Sequence, residues 1–328
     1  LYGDQIAYAR VARSLADGRG FRDPFTTDRT LPNADHPPLT SILISPAYLL
    51  FDRTSEADTA ARLIIALIGA GTVFAVGLAA RRVAANVEVD PASPLARRVG
   101  WTAAALAAVL PGLWIHDGVI MSEGPGALTI AVVIWAAVRA LDRPGAGRFA
   151  VLGAAVGVAA LARSESIVLV VILVAPLAFT RRGDRAERSR VAPLTWLVAG
   201  GLGTALVLAP WVVPNVVRFE HPVFLSSNDG STLLGSNCDA AYGGSTKGLW
   251  ILDCVVAESD PDAADASVNS DRFRSAAVRY VRHHLGALPG VVAVRELRAW
   301  SLWSPRQEVY LNAGEGDEHW VRGAAMGG

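Results

Sequence analysis

The sequence lacks the motifs of several common enzyme classes. It has no P-loop, no glycine-rich dinucleotide motif, no nucleophile elbow and no zinc-ligand spacing, so nucleotide-dependent chemistry has no support. Lysine occurs once, at Lys247, against 29 arginines, a bias that we attribute to codon usage rather than function. The formal net charge is zero, which argues against a nucleic-acid partner.

Long stretches of the chain carry no charge at all. Runs of about 20 apolar residues match the thickness of the bilayer core and predict membrane-spanning helices. A shorter run, 39–51, contains Pro46 and predicts a helix that lies at the membrane interface. The predicted fold class is an all-α polytopic membrane protein, with spans in the runs 63–80, 99–115, 124–138, 149–162, 166–180 and 191–217.

Arginine placement predicts the orientation of these spans, because short cytoplasmic loops are rich in Arg and Lys. Arginines cluster in the loops 81–98, 142–148 and 181–190. If every run is a separate span, all three loops face the cytoplasm. Residues 1–58 then form a first extracytoplasmic loop, 59–218 the transmembrane domain, and 219–328 a mixed extracytoplasmic segment.

The stretch 149–180 can be one long helix or two short ones that turn at "RSES". Two helices keep the five-arginine loop 181–190 inside, so the charge pattern favours a hairpin. A charged side chain near the bilayer centre costs on the order of 3 kcal/mol. We therefore expect Arg163 and Glu165 to have a functional or structural role. Arms of 14 or 15 residues reach only about 22 Å, which predicts a polar turn beside a water-filled cavity.

The same topology places several polar residues outside. A disulfide between Cys238 and Cys254, the only cysteines, closes a loop of about 15 residues and contributes roughly 3 kcal/mol. Residues 271–303 are predicted to be helical, with Trp300 and Trp303 at the membrane surface or in an ordinary core.

We also expect the sequence to be a fragment of a longer protein that has further spans at both ends. The other exterior candidates are Asp4, His36, His116, Asp117 and Glu123.

Five motifs in order resemble a known family. They are "YGDQIAYARVARSLADGRGF", "HPPLTSILISP", "MSEGPGAL", "LARSESIVL" and "APWVVPNVVRFEHPVFLSSNDGSTLLGSN". Together they resemble the polytopic C-type glycosyltransferases related to protein O-mannosyltransferases and the lipid A aminoarabinose transferase. The resemblance implies a transferase that takes a sugar from a polyprenyl-phosphate donor at the outer face of the plasma membrane, with inversion at the anomeric carbon.

The resemblance also implies roles for particular residues. Asp4 matches the aspartate thought to be the general base, and Tyr8, a candidate substrate-binding residue, belongs to the same motif. Many members carry a second acid directly after that aspartate, whereas this chain has Gln5. No cofactor is certain, and a divalent metal is a candidate. The partners implied are the lipid-linked donor and a glycan, lipid or protein acceptor.

The remaining candidates bind substrate by their chemistry. Arg163 can grip phosphate oxygens in a fork, and Glu165 can hold Arg163 or bind sugar hydroxyls. His36 can contact phosphate or metal, while Glu123 and Asn228 can line the site. Each has a structural alternative: Asp4 and Glu123 as helix caps, Arg163 with Glu165 as an anchoring ion pair, and His36 and Asn228 as turn residues.

Two other functions also fit a polar cavity within a membrane domain. A transporter or flippase of lipid-linked sugars needs intramembrane charges as well, although the sequence has no internal repeat of the transporter type. A non-catalytic membrane scaffold is the third option. It leaves the outward clustering of Asp4, His36, Glu123 and Arg163 without an explanation.

Overall fold

The computed structural model describes residues 1, 3–25, 31–88, 93–180 and 192–308. Within these ranges the chain is helical and has no strand; an isolated antiparallel bridge joins Arg22 and Pro32. This confirms the predicted all-α class. The helices are α1 (Asp4–Ala16), α2 (Leu39–Leu50), α3 (Thr54–Glu88), α4 (Pro94–Val109), α5 (Pro111–Trp114), α6 (Glu123–Asp142), α7 (Ala146–Ala162), α8 (Ala175–Phe179), α9 (Ala192–Arg218), α10 (Asp229–Ser236), α11 (Asp239–Tyr242), α12 (Leu252–Glu258), α13 (Ala266–His283) and α14 (Leu288–Ala299).

The chain divides into two compact units. The first contains Leu1–Ala7, Phe21–His36 and the chain from Pro214 onward, and the second contains Tyr8–Gly20 and Pro37–Val213. The predicted first loop, 1–58, is shared between the two units. The predicted transmembrane domain, 59–218, ends near Val213, the last residue of the second unit.

Three helices of the described chain are long and apolar enough to cross a membrane: Thr54–Ala85, Glu123–Asp142 and Ala192–Arg218. A fourth candidate is the pair Pro94–Val109 and Pro111–Gly118, which is bent by 63°. Large apolar side chains on the outer surface of the second unit are exposed, for example Leu67 (72% exposed) and Leu206 (74% exposed). Such exposure on long apolar helices indicates contact with lipid rather than water.

The bend after α4 has a local cause. Ser93 caps the start of α4 by accepting a hydrogen bond from the Ala96 amide at 3.0 Å, and Pro94 occupies the first turn, where its missing N–H costs nothing. At the other end Leu110 leaves the helical region (φ −75°, ψ 112°) and Pro111 starts α5. Proline disfavours a helical residue before it, so the chain turns there.

The ends of α3 and α6 lie side by side in the second unit. Arg82 of α3 donates from Nε to Asp142 of α6 at 2.6 Å, while Ile65 approaches Gly124 near the start of α6. The two helices therefore run parallel, with α4 returning between them in sequence. The 20 residues of α6 span about 30 Å, so the Arg82–Asp142 pair lies at the opposite end of α6 from Glu123.

The predicted hairpin at "RSES" is confirmed. Helix α7 ends at Ala162, Arg163 is extended (φ −144°, ψ 115°), and a 3-10 helix follows at Ser164–Val168. Val174 beyond the turn shares a buried cluster with Phe149 and Trp196. One continuous helix would separate Val174 from Phe149 by about 38 Å, so the chain must fold back.

Helices α7 and α9 pack closely through small residues. A Cβ on Gly153 would lie 1.8 Å from the carbonyl oxygen of Gly200, and Thr204 Oγ1 donates to the carbonyl of Gly153 at 2.8 Å. Gly157, one turn further along α7, faces Thr204, so the two helices run parallel. Two helices of one chain can run parallel only if the chain crosses back once, or an odd number of times, between them. The second arm of the hairpin is that return crossing. The five-arginine loop 181–190 lies outside the described residues.

Helix α1 is held against α2 by one arginine in the second unit. Arg13 donates from Nη1 to the carbonyls of Tyr48 (3.1 Å) and Phe51 (3.3 Å), which are free at the end of α2. The Ser41 hydroxyl also donates to the carbonyl of Tyr8 at 3.3 Å. These contacts fix the helix that follows the "HPP" turn on the helix that begins at Asp4.

The segment after α9 folds into small helices in the first unit. The predicted disulfide is confirmed, with the Cα atoms of Cys238 and Cys254 6.5 Å apart, and it joins the start of α11 to α12. Phe273 of α13 packs on Leu234 and Val255. The helix predicted over 271–303 differs from the structure, because the chain leaves the helix at His284 and resumes at Leu288.

Candidate functional site

One group of titratable residues lies in the first unit and surrounds an imidazole. Nε2 of His36 is 3.8 Å from Asp4 Oδ1 and 3.6 Å from Asp35 Oδ2. Asp4 is the first residue of α1, where the helix dipole favours a carboxylate, and its side chain is 58% exposed. His36 is mostly covered and precedes two prolines that stiffen the turn into α2. We call Asp4, Asp35 and His36 the His36 cluster.

Asp35 was not predicted as a site residue. Burial raises its pKa above the ordinary 3.8; His36 opposes this shift, while Asp4 and Asp23 add to it. Asp35 thus provides a second carboxylate beside the imidazole that Asp4 approaches. Gln5 itself is 3% exposed. The sequence signal was its place directly before His36 in "ADHPP".

The raised pKa leads to a prediction about stability. The ionised Asp35 is disfavoured in the fold, so Asp35→Asn should stabilise the protein at pH 7. We expect Tm to rise by only about 1 to 3 °C, since the attraction between Asp35 and His36 offsets part of the cost of burying the carboxylate. The gain should vanish as the pH falls below 3.8, where Asp35 is protonated in both states. Equal gains at pH 7 and pH 3.5 would show that ionisation is not the cause.

Two further predicted substrate residues make local contacts. The backbone N–H of Asn228 donates to Ser226 Oγ at 3.0 Å, and the Ser226 hydroxyl in turn donates to the backbone carbonyl of Asp35. This places Asn228 on the segment that is fastened to the His36 cluster, while its own side-chain Oδ1 accepts from the Ser231 hydroxyl in the first turn of α10. Tyr8 is 3% exposed within α1. The substrate roles of Asn228 and Tyr8 stay predictions.

A second group of charged residues lies in the second unit, around Arg163. Its Nη1 donates to Glu123 Oε1 at 2.6 Å and to Ser122 Oγ at 3.3 Å, and its Nε donates to Glu165 Oε1 at 2.7 Å. We call Ser122, Glu123, Arg163 and Glu165 the Arg163 cluster. The structure therefore brings together three of the predicted site residues from two different helical segments.

The Arg163 cluster lies at the polar end of the bundle that is opposite to Arg82 and Asp142. Glu123 begins α6 and Arg163 follows α7, so both stand at helix ends. Asp117, in the short 3-10 turn Ile115–Gly118 before α6, packs against Gly69 of α3. His116 shares that turn. The second unit thus has one end at which Glu123 and Glu165 pair with Arg163, and another end at which α3 and α6 carry Arg81, Arg82 and Arg139.

The hydrogen bonds of Arg163 leave part of its guanidinium available. All of its contacts with described residues use Nε and Nη1, and Nη2 has no partner among them. Oε2 of Glu123 is buried and likewise has no hydrogen-bonding partner within the described ranges. A guanidinium with an open nitrogen can bind an oxyanion such as a phosphate, because its donors match the spacing of the phosphate oxygens.

The candidate divalent metal stays a prediction. Across the residues that the structure describes, no three His, Cys, Asp or Glu side chains are placed to hold one ion together. Asp4, Asp35 and His36 therefore do not form a ligand set in this arrangement. Their geometry fits electrostatic pairing between one imidazole and two carboxylates.

Comparison with known proteins identifies the family. The model of the dolichyl-phosphate-mannose-protein mannosyltransferase family matches residues 35–213, more than half of the chain. The match includes His36, Glu123, Arg163 and Glu165, whereas Asp4 lies outside it. Neither the curated proteins nor the solved structures contain a significant match. The apolar helices and this match together show that the chain belongs to the dolichyl-phosphate-mannose-protein mannosyltransferase family, a family of multi-pass membrane glycosyltransferases.

Proposed function

We propose that the protein transfers a sugar from a polyprenyl-phosphate donor to an acceptor hydroxyl at the extracytoplasmic face of the plasma membrane. Membership of the family supports the donor class. The observation that carries the proposal is the open guanidinium nitrogen of Arg163 at the end of the bundle opposite to Arg82 and Asp142. An arginine-rich end is typical of the cytoplasmic side, so the Arg163 cluster is assigned to the outer side.

Arg163 is proposed to bind the donor phosphate. When the bond between the anomeric carbon and the phosphate oxygen breaks, its electron pair stays on the phosphate, and the negative charge there grows. A fixed guanidinium stabilises that charge more in the transition state than in the ground state. Ser122 and Glu123 accept hydrogen bonds from Nη1, and one carboxylate oxygen of Glu123 is buried. These contacts orient the guanidinium of Arg163 so that its other nitrogens can face the phosphate of the sugar donor.

Asp4 is proposed to be the general base. It takes the proton of the acceptor hydroxyl while the oxygen forms a bond to the anomeric carbon, on the face opposite to the leaving phosphate. Attack from that face inverts the anomeric configuration. Asp4 is 58% exposed, as a base that must reach a substrate needs to be, and His36 pairs with its carboxylate. The acceptor is a glycan, lipid or protein hydroxyl.

A direct test uses purified protein in lipid vesicles. Vesicles are loaded with polyprenyl phosphates that carry radiolabelled hexoses or pentoses, and mixtures of glycan, lipid and peptide acceptors are supplied. Label that moves to an acceptor supports transfer. Label that crosses the bilayer while still on its lipid supports a flippase instead, and label that does neither with any donor argues for the scaffold.

The close approach of Arg163 to α6 gives a second prediction. A Cβ on Gly126 would lie 2.8 Å from Arg163 Cδ, so Gly126→Ala must displace the arginine. We expect the KM for the lipid-linked donor to rise about tenfold, because a displacement near 1 Å weakens oriented binding. Gly147→Ala in α7, where a Cβ meets nothing within 4 Å, is the matched control. An unchanged KM in Gly126→Ala would remove Arg163 from donor binding.

A further inference from the structure

Nε and Nη2 of Arg163 differ in whether a hydrogen-bonding partner already occupies them. In a guanidinium, Nε and Nη2 point their hydrogens to the same side and form one edge that can hold two oxygens of a phosphate. Glu165 Oε1 accepts from Nε at 2.7 Å, whereas Nη2 has no partner among the described residues. One carboxylate oxygen therefore occupies half of the edge that a phosphate would use.

The two carboxylates around Arg163 differ in how firmly they are held. Glu123 contacts Nη1, its side chain is 31% exposed, and its second oxygen is buried. Glu165 contacts Nε, its side chain is 66% exposed, and it stands in the short 3-10 helix only two residues after Arg163. Glu123 is thus part of the fixed frame of the cluster, and Glu165 can rotate into solvent without disturbing a helix.

The charge of the cluster also opposes an anionic ligand as long as both carboxylates stay in place. One arginine against Glu123 and Glu165 leaves a formal charge of minus one. A phosphate next to this group would be repelled by the carboxylates while it is attracted by the guanidinium. Departure of Glu165 from Nε leaves Arg163 and Glu123 with no net charge and frees the edge in a single movement.

We propose that the carboxylate of Glu165 takes the place of the donor phosphate on Arg163 in the free protein and is displaced when the donor binds. The proposal rests on the assignment of Arg163 as the phosphate ligand. Glu165 then competes with the donor and sets the donor concentration at which the enzyme works.

The test measures binding of farnesyl phosphate to the purified full chain in detergent micelles by calorimetry. Glu165→Gln keeps the shape of the side chain and removes its charge, so the Kd for farnesyl phosphate should fall about tenfold. Glu165→Ala should give a fall at least as large, because it removes the competing oxygen as well. Glu258→Gln is the matched control: Glu258 makes the same contact, Arg272 Nε to Oε1 at 3.2 Å, in the small helices after α9, and its loss should leave the Kd unchanged.

The outcomes separate this proposal from the one on which it rests. Arg163→Gln should abolish farnesyl phosphate binding, and if it does not, the phosphate role of Arg163 is wrong whatever Glu165 does. If Arg163→Gln abolishes binding and both Glu165 variants bind the probe as the parent does or more weakly, Glu165 is not a competitor. In that case it is a supporting residue of Arg163, and the displacement is refuted.

Discussion

Replacing Asp4 by Asn is expected to reduce sugar transfer by about 100- to 10,000-fold, the range that a positioned general base contributes. The amide has nearly the shape of the carboxylate and cannot take the proton of the acceptor hydroxyl. Donor binding should change little, because Asp4 acts on the acceptor. The expected signature is therefore a loss of kcat with the donor KM retained, measured on purified protein with a saturating acceptor.

Asp17→Asn provides the matched control for this prediction. Asp17 follows the end of α1 on the same helical segment, pairs with the exposed Arg19, and has no assigned role. Its replacement should leave kcat within about twofold of the parent, as expected for a surface charge. Turnover by Asp4→Asn close to that of Asp17→Asn would exclude Asp4 as the base and would direct attention to Asp35.

Replacing Arg163 by Lys should lower kcat/KM by about 100- to 1,000-fold, although the charge is retained. A lysine ammonium cannot place two parallel donors on a phosphate, and it cannot hold Glu123 and Glu165 through separate nitrogens as Arg163 does. Loss of a donor that acts on developing charge costs about this much in other enzymes. Kinetics with a polyprenyl-phosphate sugar that the parent accepts would measure the effect.

The control for Arg163→Lys is Arg272→Lys. Arg272 also donates from Nε to a glutamate, Glu258, and it lies in α13. This variant keeps the number of charges and alters an arginine–glutamate pair of the same kind, so it reports any general cost of the exchange. A drop in Arg163→Lys no larger than in Arg272→Lys would mean that the Arg163 cluster serves only to anchor the hairpin.

The helices could be predicted because their information is local. An apolar run of suitable length forms a span wherever it stands, so the runs 63–80, 124–138 and 191–217 correspond to α3, α6 and α9. The hairpin at Arg163 was predictable from the parity of arginine loops. The break of the predicted helix 271–303 was signalled by Gly286 and Pro289, which weaken a helix there more than the apolar spacing supports it.

The contacts within each cluster were less predictable because they depend on packing. Arg163 meets Glu123, 40 residues away, only because Gly126 lets the arginine stem lie against α6. Asp4 approaches the imidazole that follows Asp35 because the chain returns there after α1, and no periodicity encodes that return. Residue type identified most of the candidates, but their pairing required the fold.

The sidedness of the Arg163 cluster is the claim on which the proposed reaction depends, and cysteine labelling tests it most directly. The native Cys238 and Cys254 are joined in a disulfide, so single cysteines introduced at Ser122, Ser164 and Arg148 would be the reactive ones. With a membrane-impermeant maleimide on intact cells, Ser122→Cys and Ser164→Cys should react from outside, and Arg148→Cys only after permeabilisation. Labelling of Arg148→Cys on intact cells, with Ser122→Cys and Ser164→Cys protected, would contradict an outward-facing site.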